Sequence, residues 1–292
     1  MVDSFACKIL LPRRRLVIAG SIIGALMLGS AVTLAPVPAS AQSVDVEMNY
    51  AATLNGIRIA TGETRTRVSR SGNYTVAGHT GVRGLIGSLI RFDAWAETDG
   101  RLRNGRVRPD DYSARSEGNG PDRTMSISFA DNRANRARMT PPLADNHFDS
   151  HVRIRRGHRR NVIDPISVLL IPAPDGLTRE VCEQTIRVYT GRQRVNVRLG
   201  LVSVRDIRTS RADEYSGRVL VCSVKLRPIS GHREGGRFQQ FAADSDEIEV
   251  WIGHVDGTGF AFPYRVSVPT PVGTAVVHMT GLKVHSQSAR AE

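Results

Sequence analysis

Four groups of residues in this chain are of types that could do chemistry. Asp244, Asp246, Glu247 and Glu249 bring four carboxylates close together. A protonated and an ionised carboxylate facing one substrate are what glycoside cleavage requires. Glu247 and Glu249, however, share one face of a strand-like stretch, and Arg265 on the next such stretch is a ready cross-strand partner. That arrangement reads as a salt-bridged sheet exterior. His147-Phe148-Asp149-Ser150-His151 would place two imidazoles on one helical face, the spacing of zinc sites. Pro141-Pro142 precede the pair, no glutamate stands beside the first histidine, and His158 lies among Arg155, Arg156, Arg159 and Arg160, whose charge opposes a dication. Arg153, Arg155, Arg156, Arg159 and Arg160 form the one dense charge cluster. Guanidinium groups bind phosphate bidentately, so a phosphate-bearing headgroup or anionic polymer is a sensible partner, against a solvated loop as the plainer reading. The fourth group, Cys182 and Cys222, suggests one disulfide if the chain is exported, or two buried thiols if it is not. No G-x-S-x-G, H-E-x-x-H or phosphate-cradling glycine loop occurs. We therefore expect no catalytic residue, metal or cofactor.

The N-terminus sets the compartment. Lys8 and Arg13–Arg15 precede an uncharged apolar run, Leu16–Ala35, and Pro36-Val37-Pro38-Ala39-Ser40-Ala41 supplies small residues for cleavage after Ala41. This is the layout of a secretory signal peptide over residues 1–41, followed by a single exported β-rich domain, 42–292. An uncleaved anchor over residues 16–35 is the competing reading, since the run is long enough to span a bilayer. Cleavage implies a periplasmic protein with only peripheral membrane association. It also removes four basic residues and Asp3, so the formal charge falls from +12 to +9. The basic excess is almost all arginine, scattered through nearly every segment with few aromatics beside it. A nucleic-acid binder would cluster that charge on one face, so none is expected as a partner.

The elements that must position these residues are strands. Val44–Ala52 alternates apolar and polar residues, Asn55-Gly56 turns the chain, and Ser71-Gly72-Asn73 marks a second hairpin. Further alternation runs through Arg91–Thr98, Met125–Phe129, Thr185–Tyr189, Arg194–Val204 and Arg218–Arg227. In the last three strands, Asp246–Val284, Ile248 and Val250 alternate with Glu247 and Glu249, and Phe260, Phe262, Tyr264, Val266 and Val268 with Ala261, Pro263, Arg265 and Ser267. Two breaks interrupt the pattern. Val82–Ile90 has helical spacing around Leu85, and Asp164-Pro165 reads as the capped start of a helix over Ile166–Ile171 that carries Leu169. The expected fold is mainly β: one large, strongly curved antiparallel sheet with two short helices against its concave face.

The order of features resembles a bacterial exported domain-of-unknown-function family, the one numbered 3108. The resemblance rests on Tyr50 with Gly56 and Gly62, Gly72-x-Tyr74, Gly81, Gly100 and Gly105, and Pro109 with Tyr112. It continues through Asp164-Pro165-Ile166-Ser167, Arg227-Pro228 and Pro269-x-x-x-Gly273, so it covers nearly the whole chain after residue 41. It implies an open half-barrel like that of periplasmic lipoprotein carriers and assigns no catalytic residues. The cysteine pair is not part of it. On this reading the concave face, with Ile248, Val250, Phe262, Tyr264, Leu85 and Leu169, holds an apolar, lipid-like ligand. The alternative is a structural or assembly partner that meets anionic envelope components through the Arg153–Arg160 loop. A hydrolase using Glu247 or Glu249 is the third reading.

Overall fold

Asparagine pairs shape the hairpins. Asn55-Gly56, Asn104-Gly105 and Asp131-Asn132 all take positive φ at both positions, the backbone that matches the twist of antiparallel strands joined by two residues. The computed structural model describes residues 43–83, 91–142, 150–236 and 247–287. They fall within one compact unit, Ser40–Glu292. Seven consecutive strands form the first half: β1 (Ser43–Leu54), β2 (Ile57–Ser69), β3 (Asn73–Val82), β4 (Phe92–Arg103), β5 (Arg106–Gly118), β6 (Arg123–Ala130) and β7 (Arg133–Thr140). A two-residue strand, β8 (Ile171–Pro172), precedes the second half: β9 (Thr185–Tyr189), β10 (Arg194–Ile207), β11 (Gly217–Ser230), β12 (Glu249–His254), β13 (Phe260–Thr270) and β14 (Gly273–Gln287). All belong to one antiparallel sheet in the order β7-β6-β5-β4-β3-β2-β1-β14-β13-β12-β11-β10-β9, with β8 paired to the start of β13. The chain's first and last strands thus meet in the middle of the sheet.

The sheet closes further than the expected half-barrel. Its edges are β7 and β9, and the segment 160–163 crosses from one to the other. Arg160 bridges Arg133, and the Asn161 N–H donates to the Asn132 carbonyl at 2.6 Å. The Ile163 N–H donates to Arg187 at 2.8 Å, and the Tyr189 N–H donates back to Ile163 at 2.9 Å. A strongly twisted sheet of this many strands curls on itself, and this strap satisfies backbone groups that both edges would otherwise expose. The result is a nearly closed, barrel-like sheet.

Neither expected helix stands among the described residues. Residues 84–90, with Leu85, lie outside them, and Val82 is the last residue of β3. Over Ile166–Ile171 there is a single 3-10 turn, Ser167–Leu169. The Asp164 cap is real, since its carboxylate accepts the N–H groups of Ile166 at 3.0 Å and Ser167 at 2.8 Å. The turn ends because Leu170 is extended and Ile171 pairs with Ala261. A cap signal starts a turn; only further i→i−4 bonds make a helix.

The expected disulfide is present. Cys182, closing the 3-10 turn Arg179–Val181, joins Cys222 on β11 with Cα atoms 5.5 Å apart. Both cysteines are fully buried, in a cluster with Leu199, Leu220, Val224, Ile248, Val250 and Ile252. A second, larger cluster centres on Val46, Met48, Tyr74, Val76, Tyr112 and Ile127 and takes in Ile166, Leu170, Phe260 and Phe262.

Candidate ligand-binding site

The strand register places inner-face side chains in transverse rows. One row runs Val46, Thr66, Val76, Thr98, Tyr112 and Ile127 across β1 to β6. Every member is buried. The next runs Met48, Thr64, Gly78, Ala96, Ala114, Met125 and Met139, and the one beyond it Tyr50, Gly62, Thr80, Ala94, Ser116 and Arg123. Between β2 and β5 these two rows hold only Gly, Ala, Ser and Thr. Short side chains on a wide curved wall cannot reach the opposite wall, and a cavity of about 910 Å³ remains. The opposite wall is branched and apolar, with Val197, Leu199, Val224, Ile248, Val250, Val266 and Val268. Ile166, Val168, Leu169 and Ile171 also border the space. The volume falls within the range of pockets, roughly 300–1,000 Å³, that enclose small ligands.

Beneath the cavity lies a polar knot. Asp164 is fully buried, and besides its two backbone donors its Oδ2 accepts from the Thr98 hydroxyl at 3.0 Å and from the Ser167 hydroxyl. Ser167 Oγ in turn lies 3.0 Å from Tyr74 Oη. Gly100 admits that phenol, because a Cβ there would stand 2.9 Å from Tyr74 Oη and 2.3 Å from the Arg108 carbonyl. Burial pushes the Asp164 carboxyl above its ordinary value, against the pull of the hydrogen bonds from Ser167 and Thr98. Burial likewise raises Tyr74, and it lifts Tyr112 to about 12. These groups are structural in their geometry: each points into the packed row, and together they hold the Ile166–Leu169 turn against the inner face.

The residues expected to bind a ligand divide. Ile248, Val250 and Leu169 border the cavity. Leu85 lies outside the described residues. Phe262 and Tyr264 do not border it, because the register between β12 and β13 shifts after Trp251–Arg265, so that Ile252 faces Pro263. This bulge carries one extra residue and flips the parity of β13. Val266 and Val268 therefore share the face of Val250, whereas Phe262 shares that of Gly253 and packs edge-on against Tyr215, 5.5 Å between ring centres. Tyr264 tilts against the same Tyr215 ring at 5.6 Å.

The other candidates sit elsewhere. Glu249 does not pair with Arg265; it lies 3.4 Å from the Trp251 indole N–H, while the guanidiniums of Arg205 and Arg265 lie over the Trp251 ring at 5.0 and 5.3 Å. Neither Glu247 nor Glu249 borders the cavity, and Asp244 and Asp246 lie outside the described residues. His147 is also outside them, and His158 Nδ1 accepts the Arg155 N–H at 3.2 Å. Among the described residues no group of three or more His, Cys, Asp or Glu is placed to hold a metal ion. In the arginine loop Arg153, Arg155, Arg156 and Arg160 are exposed, and Arg159 stacks over the Tyr189 ring at 5.8 Å.

Two features escaped the reading of the sequence. One is the pair Arg123 and Arg192 at the cavity's border. The other is an outer-face row, Glu63–His79–Trp95–Arg115, in which His79 stacks on Trp95 at 4.9 Å and its Nε2 lies 3.0 Å from Asp93. Besides the apolar residues Ile248, Val250 and Leu169, the signal in the sequence for the cavity is the run of small residues at every second position of β2 to β5.

Fold and site together define a β-barrel-like protein with an apolar cavity and, in the packed row beside it, a buried carboxylate. The chain belongs to the family described as Protein of unknown function (DUF3108), whose match spans residues 47–280. Among solved structures it is similar to a beta-barrel-like protein of domain of unknown function DUF1849 from Brucella abortus, at 9% identity over 83% of this chain and 98% of that one, with a TM-score of 0.47. No curated protein matches the chain.

Proposed function

We propose that the protein is an exported, non-enzymatic binding or carrier protein of the bacterial periplasm, and that its cavity holds an apolar, lipid-like chain. The observation that supports this reading is the 910 Å³ space between the small-residue rows of β2–β5 and the branched wall of β10–β13. The buried Cys182–Cys222 disulfide supports an oxidising compartment. Among the described residues no helix is long and apolar enough to cross a membrane. The signal-peptide reading of residues 1–41 supplies the route of export.

The test is a chain-length series. Each methylene moved from water into such a cavity contributes about 0.8 kcal/mol, so affinity for n-alkyl ligands should rise about tenfold for every two methylenes until the space is filled. Native mass spectrometry of the protein from its own envelope should show a retained lipid mass. A protein that emerges empty and gives a flat chain-length series would sink the proposal. A second reading, contact with anionic envelope components, is supported by the exposed guanidiniums of Arg153, Arg155, Arg156 and Arg160. Replacing these four by serine should then remove envelope partners from a pull-down without changing alkyl binding.

A further inference from the structure

The two most exposed large apolar side chains among the described residues are Val272 and Ile57, at 69% and 63%. They belong to neighbouring hairpins, β13–β14 and β1–β2, whose tips Asn55 clamps together. The Asn55 N–H donates to the Thr274 carbonyl at 3.1 Å, its Nδ2 donates to the Val272 carbonyl at 3.0 Å, and its Oδ1 accepts the Thr274 N–H at 3.0 Å. Gly273, at φ +123°, makes room for the clamp, since a Cβ there would collide with the Asn55 carboxamide. The Thr270 hydroxyl donates to the Gly273 carbonyl at 2.6 Å. The backbone of both tips is therefore held, and the two apolar side chains stay in water unless a partner covers them.

The same tips lead into the cavity. The register aligns Ile57 with Leu54, Leu54 with Ala275, and Ala275 with Val268, and residues directly opposite each other share a face. Val268 borders the cavity, so one apolar row runs from the rim to its wall. The next row inwards is Ala60, Ala52, Val277 and Val266, and Val277 borders the cavity while 40% exposed. Phe92, 42% exposed, opens β4 at the same end of the barrel. Charge at this end complements an anionic surface. Neither tip, over 53–59 and 268–276, contains an aspartate or glutamate, Arg58 is exposed on the first, and exposed Arg91 precedes Phe92. Two tips are too narrow for a stable protein interface, which takes about 800 Å² from each partner. A bilayer needs only apolar side chains that enter its acyl boundary and cations that meet its phosphates.

We propose that the paired tips are a docking edge for an anionic phospholipid bilayer. Ile57 and Val272 enter the acyl boundary, Arg58 lies among the phosphates, and the row from Leu54 to Val268 gives a hydrocarbon chain an apolar path into the cavity. This deepens the carrier reading by naming the source of the lipid, and rests on it for the cargo. The test uses the chain from Gln42 onwards, within the compact unit Ser40–Glu292, so that residues 1–41 take no part. The protein should float with vesicles of phosphatidylcholine containing about one-third phosphatidylglycerol. Ile57→Ser/Val272→Ser should weaken that binding about tenfold or more, and Arg58→Gln about fivefold at low salt. Ile57→Trp/Val272→Trp, which puts interface-seeking rings on the same tips, should strengthen it. Equilibrium dialysis against decanol should give one affinity for all four proteins, since neither Ile57 nor Val272 borders the cavity. A wild type that stays in solution, or a serine variant that floats equally well, overturns the docking edge, and the carrier reading stands if decanol binds. Flotation that is lost in the serine variant, with decanol bound by none, supports the edge and sinks the carrier reading. A wild-type dimer that the serine variant makes monomeric, with vesicles bound by neither, assigns the tips to a second copy and overturns the proposal.

Discussion

Two neighbouring rows on the inner face of β1–β6 behave in opposite ways. Thr66, Val76, Thr98 and Ile127 are sealed, with Thr66 and Val76 wholly inaccessible, and only Tyr112 of this row reaches the cavity's margin. One pleat along, Thr64, Gly78, Ala96, Ala114 and Met125 are only half-buried and border open space. Strand spacing and twist are the same for both, since the rows lie on the same strands. What differs is side-chain size and what sits opposite. The sealed row meets the Asp164–Leu170 segment, with Tyr74 and Ser167 hydrogen-bonded across the contact. The other row touches Ile166 at Gly78 and the Gly191 turn at Met125, and otherwise borders the cavity. A barrel interior is core or pocket according to a few atoms per residue at one level.

The largest expected effect separates the rows directly. Ile127→Ala removes a fully buried side chain from the sealed row and should cost about 3–4 kcal/mol. Met125→Ala, one row away, removes a half-buried side chain that packs on the Gly191 turn on one side and borders open space on the other, and should cost about 1–2 kcal/mol. Urea unfolding of both variants gives the comparison, and equal losses would mean that the cavity is packed in solution.

The second test strikes the knot that seals the lower row. Asp164→Ala strands the N–H groups of Ile166 and Ser167 in a buried site and removes an acceptor from two hydroxyls, and should cost about 3 kcal/mol. Asp164→Asn keeps an acceptor for the backbone donors and should cost less. The carboxyl also gives a pH signature. Its folded pKa lies above the ordinary aspartate value of 3.8 because it is buried, so above that value the native state holds a proton that the unfolded chain has released. Its contribution is therefore fully present at acid pH and declines as pH rises through the raised value. The geometry agrees: the Thr98 hydroxyl lies 2.8 Å from the Asp111 carbonyl as well as 3.0 Å from Asp164. Its single proton cannot serve both, and a proton on Asp164 completes the set. The stability difference between the wild type and Asp164→Asn should shrink as pH rises from 4 to 8, and a difference constant with pH would show that Asp164 stays ionised.

Much of this fold was legible in the sequence because its signals are local. Asn55-Gly56 and Asn104-Gly105 mark hairpins whose strands follow immediately, and Cys182 and Cys222 are the one pair of cysteines after residue 41. What failed was non-local. Asp164-Pro165 opens a helix or a single turn with the same residues, and the choice was made by Ile171 finding a partner in Ala261. Alternation in Phe260–Val268 looked unbroken, yet a bulge opposite Trp251 changed its parity and moved Phe262 and Tyr264 off the face of Val250. Arg123 on β6 and Arg192 beyond β9 come from opposite ends of the sheet, so that both border one cavity depends on closure, which no local pattern encodes. The small residues at Gly62, Thr64, Gly78, Ala94, Ala96 and Ala114 were visible as a period-two pattern, but their meaning required the register that aligns them.

The smallest expected change in stability is the sharpest test of that alignment. Ala114→Leu points a larger side chain from the half-buried row into the cavity. In a packed core such an enlargement forces rotamers and backbone aside and costs about 1–3 kcal/mol. Here the added methyl groups enter empty space and gain apolar contact with the opposite wall, so the unfolding midpoint should barely move. The occupied volume, however, is no longer open to a ligand, and binding of long alkyl chains should fall more than tenfold while that of short ones changes little. Ala114→Leu that destabilises like a core enlargement would place the row in contact with its opposite wall. A stable Ala114→Leu protein that binds long chains undiminished would put the ligand somewhere other than between these two walls.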